Sequence, residues 1–426
     1  MTAAVLFISL VVLLILNVPV GIAIGLACVV TILSFGTLSE LYVAQTLVTA
    51  TDSFPIMAIP LFILAGDLMG AGGVSRRILA VANAFFGRIT GGLAIVTVVV
   101  CMFFAAVSGS GPATVAAVGS MVVPTMLQAG YSKSFTLGLV AAAGSIGVII
   151  PPSIPMVLYG VTTGTSITNI FLGGILPGML IGLLLIAYVY YYSRKMGWRG
   201  TQESFDGAKT LRLMWDAKWA LLNPIIILGG IYAGVFTPTE AAAVASVYAF
   251  VCGVFIHREL LPRDIFRTVA RSCATTGTVM VILGCASTFA RILTIERIPS
   301  SIADLILQFS LHPIVLLLII LLLLLLVGCV MDTTPAILVL APILYPVVTS
   351  VGVDPVHFGI IMVVSLAIGF ITPPLGINLF VAARIGNSSL GPVIQGVVPF
   401  VIVMILALVV IAYVPQLSLL PLTLFN

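Results

Sequence analysis

The stretch SIGVIIPPSIPMVLYG, residues 145–160, has a counterpart later in the same chain. The second stretch, AIGFITPPLGINLFVA at residues 367–382, matches it with a constant offset of 222 residues, which aligns the two Pro-Pro pairs. The same offset relates Pro124 to Pro346. Because a nearly fixed register over so much of the chain is improbable by chance, the sequence predicts two related halves.

The composition is typical of a protein embedded in a membrane. Of the 426 residues, 61% are hydrophobic and only 7% are charged, whereas about 25% of the residues of a soluble domain are charged. This composition indicates many membrane-spanning helices. The six cysteines are scattered through apolar runs, which argues against a disulfide framework or a zinc site. The sequence contains no GxxxxGK[ST] motif, so the chain itself has no evident means of using ATP.

A charged stretch, residues 194–218, divides the chain and is predicted to be an amphipathic cytoplasmic linker. The first repeat then covers residues 1–193, and the second covers residues 219–426. Each repeat has one apolar stretch with a polar interruption: SGSGP interrupts 92–129, and MDTTP interrupts 313–350. We interpret both stretches as re-entrant helical hairpins, because a leg of about 15 residues reaches only about 22 Å, short of the roughly 30 Å hydrocarbon core.

Each repeat is thus predicted to contain five full spans and one hairpin. The expected fold class is all-α integral membrane, an inverted repeat with about ten transmembrane helices plus two re-entrant helical hairpins. The inversion follows because five is an odd number of crossings. Internal repeats of this kind are typical of secondary transporters.

The basic residues support this orientation. With ten spans, 15 of the 17 lysines and arginines fall on one side of the membrane, and only Arg291 and Arg297 fall on the other. The positive-inside rule makes the richer side cytoplasmic. Both termini are then predicted to be periplasmic, with the first hairpin open to the cytoplasm and the second open to the outside.

The interruptions in the hairpins predict binding sites. Lipid cannot satisfy the backbone groups of a hairpin tip, so such a tip must line a protein or water-filled cavity. The first tip is SGSGP, residues 108–112, in which glycine permits close approach, serine supplies hydroxyl oxygens and proline starts the returning helix. The second tip, residues 328–335, adds the carboxylate of Asp332. An intramembrane carboxylate is a functional candidate, although a helix cap is an alternative role for it.

The motifs IIPPS (149–153) and ITPPL (371–375) predict a break in the middle of a helix in each half. Two prolines remove two N–H donors and free the carbonyls upstream of them. Carbonyls at the end of one half-helix suit a cation such as Na⁺, and the N–H groups at the start of the other suit a carboxylate. We expect the tips and breaks to meet near the membrane midplane, around one substrate site flanked by cation sites.

Other polar residues are expected to be structural. Asp67 lies near the cytoplasmic end of its span, where a pairing with Arg76 or Arg77 is expected. The three histidines fall at the ends of spans and are interpreted as interfacial residues that form no metal cluster. They are His257, His312 and His357.

At these motifs the chain resembles the large membrane subunit of tripartite ATP-independent periplasmic (TRAP) transporters. The resemblance covers essentially the whole chain. It is carried by AIPLFILAGDLMGAGGVSRRI (58–78), SGSGPATVAAVGS (108–120), IIPPSIPMVLYG (149–160), GCVMDTTPAILVLAPIL (328–344) and GFITPPLGINLFVAARIGN (369–387). It implies a secondary importer of organic acids with Na⁺ as coupling ion and no cofactor. It also implies an elevator-type ion transporter fold, in which a transport domain holding the hairpins slides against a static scaffold.

The resemblance further implies roles for individual residues. The first sodium site would be formed by Ser108, Ser110, Gly111, Ile150 and Pro151. The second sodium site would be formed by Gly328, Cys329, Asp332, Thr372 and Pro373. The substrate would be bordered by Gly109, Pro112, Pro152, Thr333, Thr334 and Pro374.

The partners implied by the resemblance are a periplasmic substrate-binding protein and a small four-helix membrane subunit of the Q type. The latter is expected to be a separate chain, because this sequence begins at its first span. The expected location is a bacterial inner membrane, in contact with lipid and without nucleic acid. C4-dicarboxylates, sialic acid and keto acids remain open as substrates.

Three alternatives remain at this point. One is a stand-alone Na⁺/dicarboxylate symporter of related fold, which would need no small subunit. Another is the permease subunit of an ATP-driven importer, which would need a cytoplasmic surface for an ATPase. The third is an intramembrane enzyme, which is disfavoured because Asp332 has no histidine or second carboxylate nearby in the sequence.

Overall fold

The computed structural model describes residues 2–36, 38–39, 41–200, 206–299, 301 and 312–425. Within these ranges the chain forms nineteen α-helices and no β-strand. The predicted all-α class is therefore confirmed. In the charged stretch 194–218, residues 194–196 end one helix and residues 207–218 begin the next, whereas residues 197–200 and 206 are not helical. Residues 201–205 lie outside the described ranges. The boundaries of the two predicted repeats stay a prediction.

Ten helices precede the charged stretch. They are α1 Thr2–Ile15, α2 Val20–Phe35, α3 Leu41–Thr49, α4 Ala58–Ala71, α5 Val74–Phe86, α6 Gly92–Ser108, α7 Gly111–Gln128, α8 Lys133–Ser145, α9 Ile154–Thr163 and α10 Ile167–Met196. Short 3₁₀ turns at Phe54–Met57 and Ile146–Val148 lead into α4 and extend α8.

Nine helices follow in the described residues. They are α11 Gly207–Tyr232, α12 Pro238–Val251, α13 Pro262–Ile295, α14 Pro313–Gly328, α15 Thr333–Ser350, α16 Pro355–Gly369, α17 Ile377–Ile385, α18 Leu390–Tyr413 and α19 Gln416–Phe425. A π-helical turn, Cys252–Ile256, continues α12.

Both predicted hairpins are interrupted where the sequence indicates. Two residues separate the end of α6 from the start of α7, and four residues separate the end of α14 from the start of α15. The legs have 17 and 18 residues in the first hairpin and 16 and 18 in the second. These legs are slightly longer than the predicted 15 residues because the non-helical segments between them have only two and four residues. At 1.5 Å per residue they reach about 24–27 Å.

Both predicted helix breaks are also present. The first separates α8 and its 3₁₀ extension from α9, and the second separates α16 from α17. Each double proline, Pro151-Pro152 and Pro373-Pro374, contains a cis peptide bond. The order hairpin, broken helix and long helix therefore occurs twice along the chain, as the repeated motifs predict.

Several helices of each half pack directly against helices of the other half. The returning leg of each hairpin packs against the second part of the other half's broken helix, so α7 contacts α17 and α15 contacts α9. Helices α2 and α12 likewise pack on α13 and α4 of the opposite half. On α12, the hydroxyl groups of Thr239 and Ser246 donate to the carbonyls of Phe54 (3.0 Å) and Leu61 (2.7 Å). The core is therefore shared between the halves.

Among the described residues, six helical segments are long and apolar enough to cross a membrane. They are Phe54–Ala71, Ile167–Met196, Pro238–Ile256, Pro262–Ile295, Thr333–Ser350 and Leu390–Tyr413. Further apolar helices have only 10–17 residues, partly because the double prolines divide two apolar stretches. The chain is a multi-helix membrane protein by this measure, while the count of about ten spans and the orientation of the termini stay predictions.

Candidate functional site

The first hairpin turns at residues 108–112, here called tip 1. Gly109 ends α6 in the left-handed conformation, with φ +58°, which favours glycine. Ser110 is extended, and Pro112 lies in the first turn of α7, where its missing N–H group is not needed. The conformational preferences of these residues therefore end α6 and start α7 with only two residues between the helices.

A hydroxyl network closes tip 1. The hydroxyl group of Thr114 donates to the carbonyl of Ser110 at 2.8 Å and lies 2.8 Å from the hydroxyl of Ser108. Because Thr114 uses its hydrogen on Ser110, we infer that Ser108 donates to Thr114. The Ser108 oxygen then accepts one long hydrogen bond, from the N–H group of Ser110 at 3.5 Å, and keeps a further lone pair. Ser108 and Thr114 are both buried, so this oxygen is suited to a cation that has lost its water.

Tip 1 lies directly against the first helix break, residues 149–153, here called break 1. The N–H group of Ile154 donates to the carbonyl of Gly109 at 3.4 Å. A Cβ atom on Gly109 would lie 3.0 Å from the carbonyl oxygen of Pro152. The Cα atom of Gly109 therefore lies close to the Pro152 carbonyl, with no side chain between them. Pro151 and Pro152 are buried in this contact.

The second hairpin turns at residues 328–335, here called tip 2. Asp332 precedes α15 as its N-cap residue but makes no capping hydrogen bond to the backbone. Its Oδ1 accepts a hydrogen bond of 3.3 Å from the hydroxyl of Thr333. Asp332 is exposed and lines a cleft of about 500 Å³ between tip 2 and helices α2 and α13. The missing cap bonds leave the carboxylate available for another role.

Tip 2 lies against the second helix break, residues 370–376, here called break 2. The N–H group of Leu375 donates to the carbonyl of Cys329 at 3.1 Å. Gly328 and Gly369 pack backbone to backbone, and a Cβ atom on Gly369 would collide with backbone atoms of Gly328. Both positions therefore require glycine for this approach. Thr372 points back into its helix, donating to the carbonyl of Ile368 at 2.8 Å.

The two tip–break pairs meet through break 2. A Cβ atom on Gly111 of tip 1 would lie 3.1 Å from the Phe370 ring and 3.4 Å from Nδ2 of Asn378. The backbone N–H of Asn378 donates to the carbonyl of Phe370 at 3.0 Å, and its side-chain Nδ2 donates to the carbonyl of Ala141 at 3.3 Å. Tip 1 thus contacts both breaks.

The structure brings the proposed residues together in two groups. Tip 1 contacts break 1, and tip 2 contacts break 2, as the expected convergence requires. The two breaks differ in exposure, however. Pro151 and Pro152 are buried, whereas Pro373 and Pro374 are exposed. Thr333 and Thr334 are buried at the start of α15.

Sequence reasoning missed three residues of this region. Thr114 holds tip 1 together, Gly147 lets break 1 approach the carbonyl of Ser110, and Asn378 lies between tip 1 and break 2. Asn378 is fully buried, and its Oδ1 atom has no hydrogen-bond partner. Gly147 and Gly369 align under the repeat offset, which is a signal that could have identified Gly147.

The expected partners of Asp67 were wrong. Its Oδ2 accepts a hydrogen bond of 2.7 Å from Ser272 on α13. Arg76 and Arg77 both contact Oε1 of Glu259 instead, at 2.7 Å. The reason is geometric: Arg76 and Arg77 lie on α5, beyond a turn at Gly72 and Gly73, where they face the segment before α13.

His357 lies at the start of α16, and its interfacial depth stays a prediction. The side chain is buried, although it follows the start of α16 by only two residues. Its ring nitrogens lie 3.2 Å from the hydroxyl of Ser418 and 3.2 Å from the carbonyl of Ala412. The last two helices of the chain cover this helix end and supply polar partners.

The donor set is that of an oxygen site. Among the described residues, no group of three or more His, Cys, Asp or Glu side chains could hold a metal ion. The oxygens at the tips belong to carbonyls, to the carboxylate of Asp332 and to the hydroxyl groups of Ser108, Ser110, Thr333 and Thr334. Hard cations prefer oxygen ligands, and unwound carbonyls supply them for Na⁺ in transporters.

Comparisons with known proteins show the family to which the chain belongs. Residues 7–417 match the family described as the tripartite ATP-independent periplasmic transporter, DctM component. The isethionate TRAP transporter permease protein DctMQ of Oleidesulfovibrio alaskensis is 49% identical over 402 residues, which are 94% of this chain and 63% of that protein. The chain therefore spans just under two thirds of the length of this relative.

Two further relatives match over nearly their full length. The C4-dicarboxylate TRAP transporter large permease protein DctM of Vibrio cholerae is 41% identical, over 98% of this chain and 97% of that protein. The sialic acid TRAP transporter large permease protein SiaM of the same organism is 35% identical, over 94% of each. The crystal structure of the YdaH transporter of Alcanivorax borkumensis aligns with a TM-score of 0.62 over 87% of each chain, at 17% identity. This likeness concerns the fold alone.

Proposed function

Because the chain belongs to the family of the TRAP transporter DctM component, and is thus a large permease subunit rather than an enzyme, we propose that it imports organic anions by coupling their movement to Na⁺. Its place is a bacterial inner membrane, with both termini in the periplasm. The observation that carries the proposal is the pairing of each hairpin tip with the helix break of the same half, through Ile154–Gly109 and Leu375–Cys329.

The tip–break pairs are suited to binding Na⁺. The first sodium site comprises tip 1 and break 1, with the Ser108 oxygen as a side-chain ligand and with Ser110, Gly111, Ile150 and Pro151 around it. The second comprises tip 2 and break 2, with Asp332 as the anionic ligand and with Gly328, Cys329, Thr372 and Pro373 around it. Support comes from the unwound backbone at both places, since non-helical backbone at membrane depth is tolerated only where it is buried in protein or lines a water-filled cavity.

The substrate site lies where tip 1 meets break 2. We assign its border to Gly109, Pro112, Pro152, Thr333, Thr334 and Pro374. N–H groups at the starts of α7, α9, α15 and α17 provide positive helix ends for an acidic group. Bound Na⁺ adds positive charge beside this site, so cation binding makes anion binding more favourable.

Transport follows an elevator mechanism in this proposal. The two hairpins and the broken helices form the moving part, and α2, α4, α12 and α13 form the scaffold. The mutual packing of α2 with α13 and of α4 with α12 supports a scaffold built from both halves. Ligands shift the balance between outward and inward states only by their different affinities for the two.

The cargo is a small organic acid. The named relatives transport isethionate, C4-dicarboxylates and sialic acid, which all carry an acidic group and differ in the rest of the molecule. We propose isethionate or a C4-dicarboxylate as the first candidates, because those two relatives are more similar to this chain than the sialic acid protein. The partners are a periplasmic substrate-binding protein and a small Q-type membrane subunit.

Reconstitution tests this function. The chain is placed in proteoliposomes with its small subunit, the binding protein is added outside, and uptake of radiolabelled isethionate and succinate is measured with and without an inward Na⁺ gradient. Uptake that requires both the gradient and the binding protein is expected. Uptake that needs Na⁺ but no binding protein favours the stand-alone symporter, and uptake driven by ATP without Na⁺ contradicts the proposal.

A further inference from the structure

A cleft of about 440 Å³ lies beside tip 1, between the first hairpin and helices α4 and α13. It begins next to tip 1, because Gly66 in its wall would place a Cβ atom 2.9 Å from the Cα atom of Ser108. From there it follows a face of small residues on α7, which includes Ala113 and Ala117. Because α7 runs away from the tip, the cleft provides a path from tip 1 towards the ends of these helices.

Two guanidinium groups line the far side of this cleft. Arg267 and Arg271 are one turn apart on α13, and both are exposed. Among the residues that the structure describes, neither makes an ion pair within 4.0 Å. Like charges four residues apart on a helix repel each other. An anion between the two side chains would remove this repulsion.

The two carboxylate groups that line the cleft belong to Asp67 and Asp264, and they do not occupy the position between the two guanidinium groups. Asp67 accepts the hydrogen bond from Ser272, which fixes one of its oxygens. Asp264 lies in the first turn of α13, about 10 Å along the helix axis from Arg271 at 1.5 Å per residue. Asp67 lies near Arg271, and Asp264 lies one turn before Arg267 on α13. Among the described residues neither carboxylate comes within 4.0 Å of a guanidinium group, so both arginines keep hydrogen-bond donors for an anion.

We propose that Arg267 and Arg271 bind the acidic group of the cargo after it leaves tip 1, as a release site on the cytoplasmic side. The inference rests on the proposed function, since it takes the imported organic acid as the ligand. A guanidinium group forms two parallel hydrogen bonds with a carboxylate or sulfonate, a geometry that lysine cannot reproduce.

The test measures cargo affinity from the cytoplasmic face. Counterflow of radiolabelled isethionate or succinate is recorded in vesicles that contain the chain and its small subunit, while the concentration on the cytoplasmic side is varied. Arg267→Gln and Arg271→Gln are each expected to raise the cytoplasmic-side KM about tenfold, and the Lys variants are expected to give intermediate values. Arg263→Gln is the matched control, because Arg263 is an exposed arginine on the same helix outside the cleft.

The outcomes separate this inference from the proposed function. Active transport with an unchanged cytoplasmic-side KM in both glutamine variants overturns the release site and leaves the transport function intact. Absence of any organic acid transport by the unmodified protein with its partners removes both. If Arg271→Gln does not assemble, Arg267→Gln decides the question, since Arg267 makes no hydrogen bond or ion pair within the described part of the chain.

Discussion

The hydroxyl groups of Ser108 and Thr114 lie 2.8 Å apart across the break between the two legs of the first hairpin. Ser108 is the last residue of α6, and Thr114 lies in the first turn of α7. The hydrogen bond therefore ties two helices together at the point where the chain has no helical structure. It also sets the direction in which the Ser108 lone pairs point, which is a condition for cation binding.

Replacing Thr114 by valine is expected to loosen tip 1. The change keeps the shape of the side chain but removes the close hydroxyl partner of the buried Ser108, at a cost of about 1–3 kcal/mol. The Ser110 carbonyl keeps the backbone hydrogen bond from residue 114 at 3.1 Å. Thermal unfolding of the purified protein should show a lower melting temperature, and Na⁺-dependent uptake should fall. Thr125→Val is the control, because Thr125 makes the same kind of bond to its own helix at an exposed position. Equal behaviour of the two variants would contradict a special role for Thr114.

Substitution by alanine is expected to have different effects at Asp332 and at Asp354. Both are N-cap residues of the second half, but only Asp354 accepts backbone hydrogen bonds, from Val356 at 2.8 Å and His357 at 3.1 Å. Asp354→Ala should therefore lower stability by about 1 kcal/mol and leave Na⁺ dependence unchanged.

Asp332→Ala should instead raise the Na⁺ concentration needed for half-maximal uptake about tenfold, because it removes an anionic ligand. The measurement is uptake against Na⁺ concentration, with melting temperatures recorded for both variants. A normal Na⁺ profile for Asp332→Ala would remove Asp332 from the second sodium site.

Gly369→Ala is expected to separate tip 2 from break 2. The added methyl group would meet backbone atoms of Gly328, which cannot move as a flexible side chain does. We expect uptake below about one tenth of the unmodified rate, since a displacement of about 1 Å can cost a hundredfold in a positioned site. Gly391→Ala on α18 is the control, because a Cβ atom there meets nothing within 4 Å. Uptake is compared at equal amounts of assembled protein, and near-normal uptake by Gly369→Ala would argue against close packing at this point.

Glu259 is expected to make stability depend on pH. Burial alone would raise its pKa, but the guanidinium groups of Arg77 and Arg76 outweigh burial and hold the pKa below its usual range. A carboxyl group with a lowered folded-state pKa stabilises the protein above its unfolded pKa, about 4.3, and loses this contribution as the pH falls through the folded value.

Glu259→Gln should thus be less stable than the unmodified protein by about 1 kcal/mol at pH 7. The difference should persist on acidification to about pH 4 and disappear below it. Chemical unfolding at a series of pH values measures it. Arg77→Gln should cost more than Arg76→Gln, since the Arg77 side chain is 16% exposed and that of Arg76 is 68% exposed. A difference that grows as the pH falls would refute this assignment.

Much of the backbone plan could be predicted from local sequence. The offset between the two Pro-Pro motifs indicates the broken helices, and both helices are interrupted there. The SGSGP motif likewise indicates the turn of the first hairpin, because Gly109 has the positive φ that only glycine adopts easily. Side-chain pairings could not be predicted as well, because the partners expected for Asp67 were wrong.

By itself, the sequence determined the membrane class, the internal repeat and the places where helices stop, because hydrophobicity, glycine and proline act on the chain within a few residues. Only the tertiary structure decided that Thr114 closes tip 1, that Ser272 rather than Arg77 contacts Asp67, and that break 1 is buried while break 2 is exposed. Those features depend on which helices of one half pack against the other half. Such contacts join residues far apart in sequence, and no local preference specifies them.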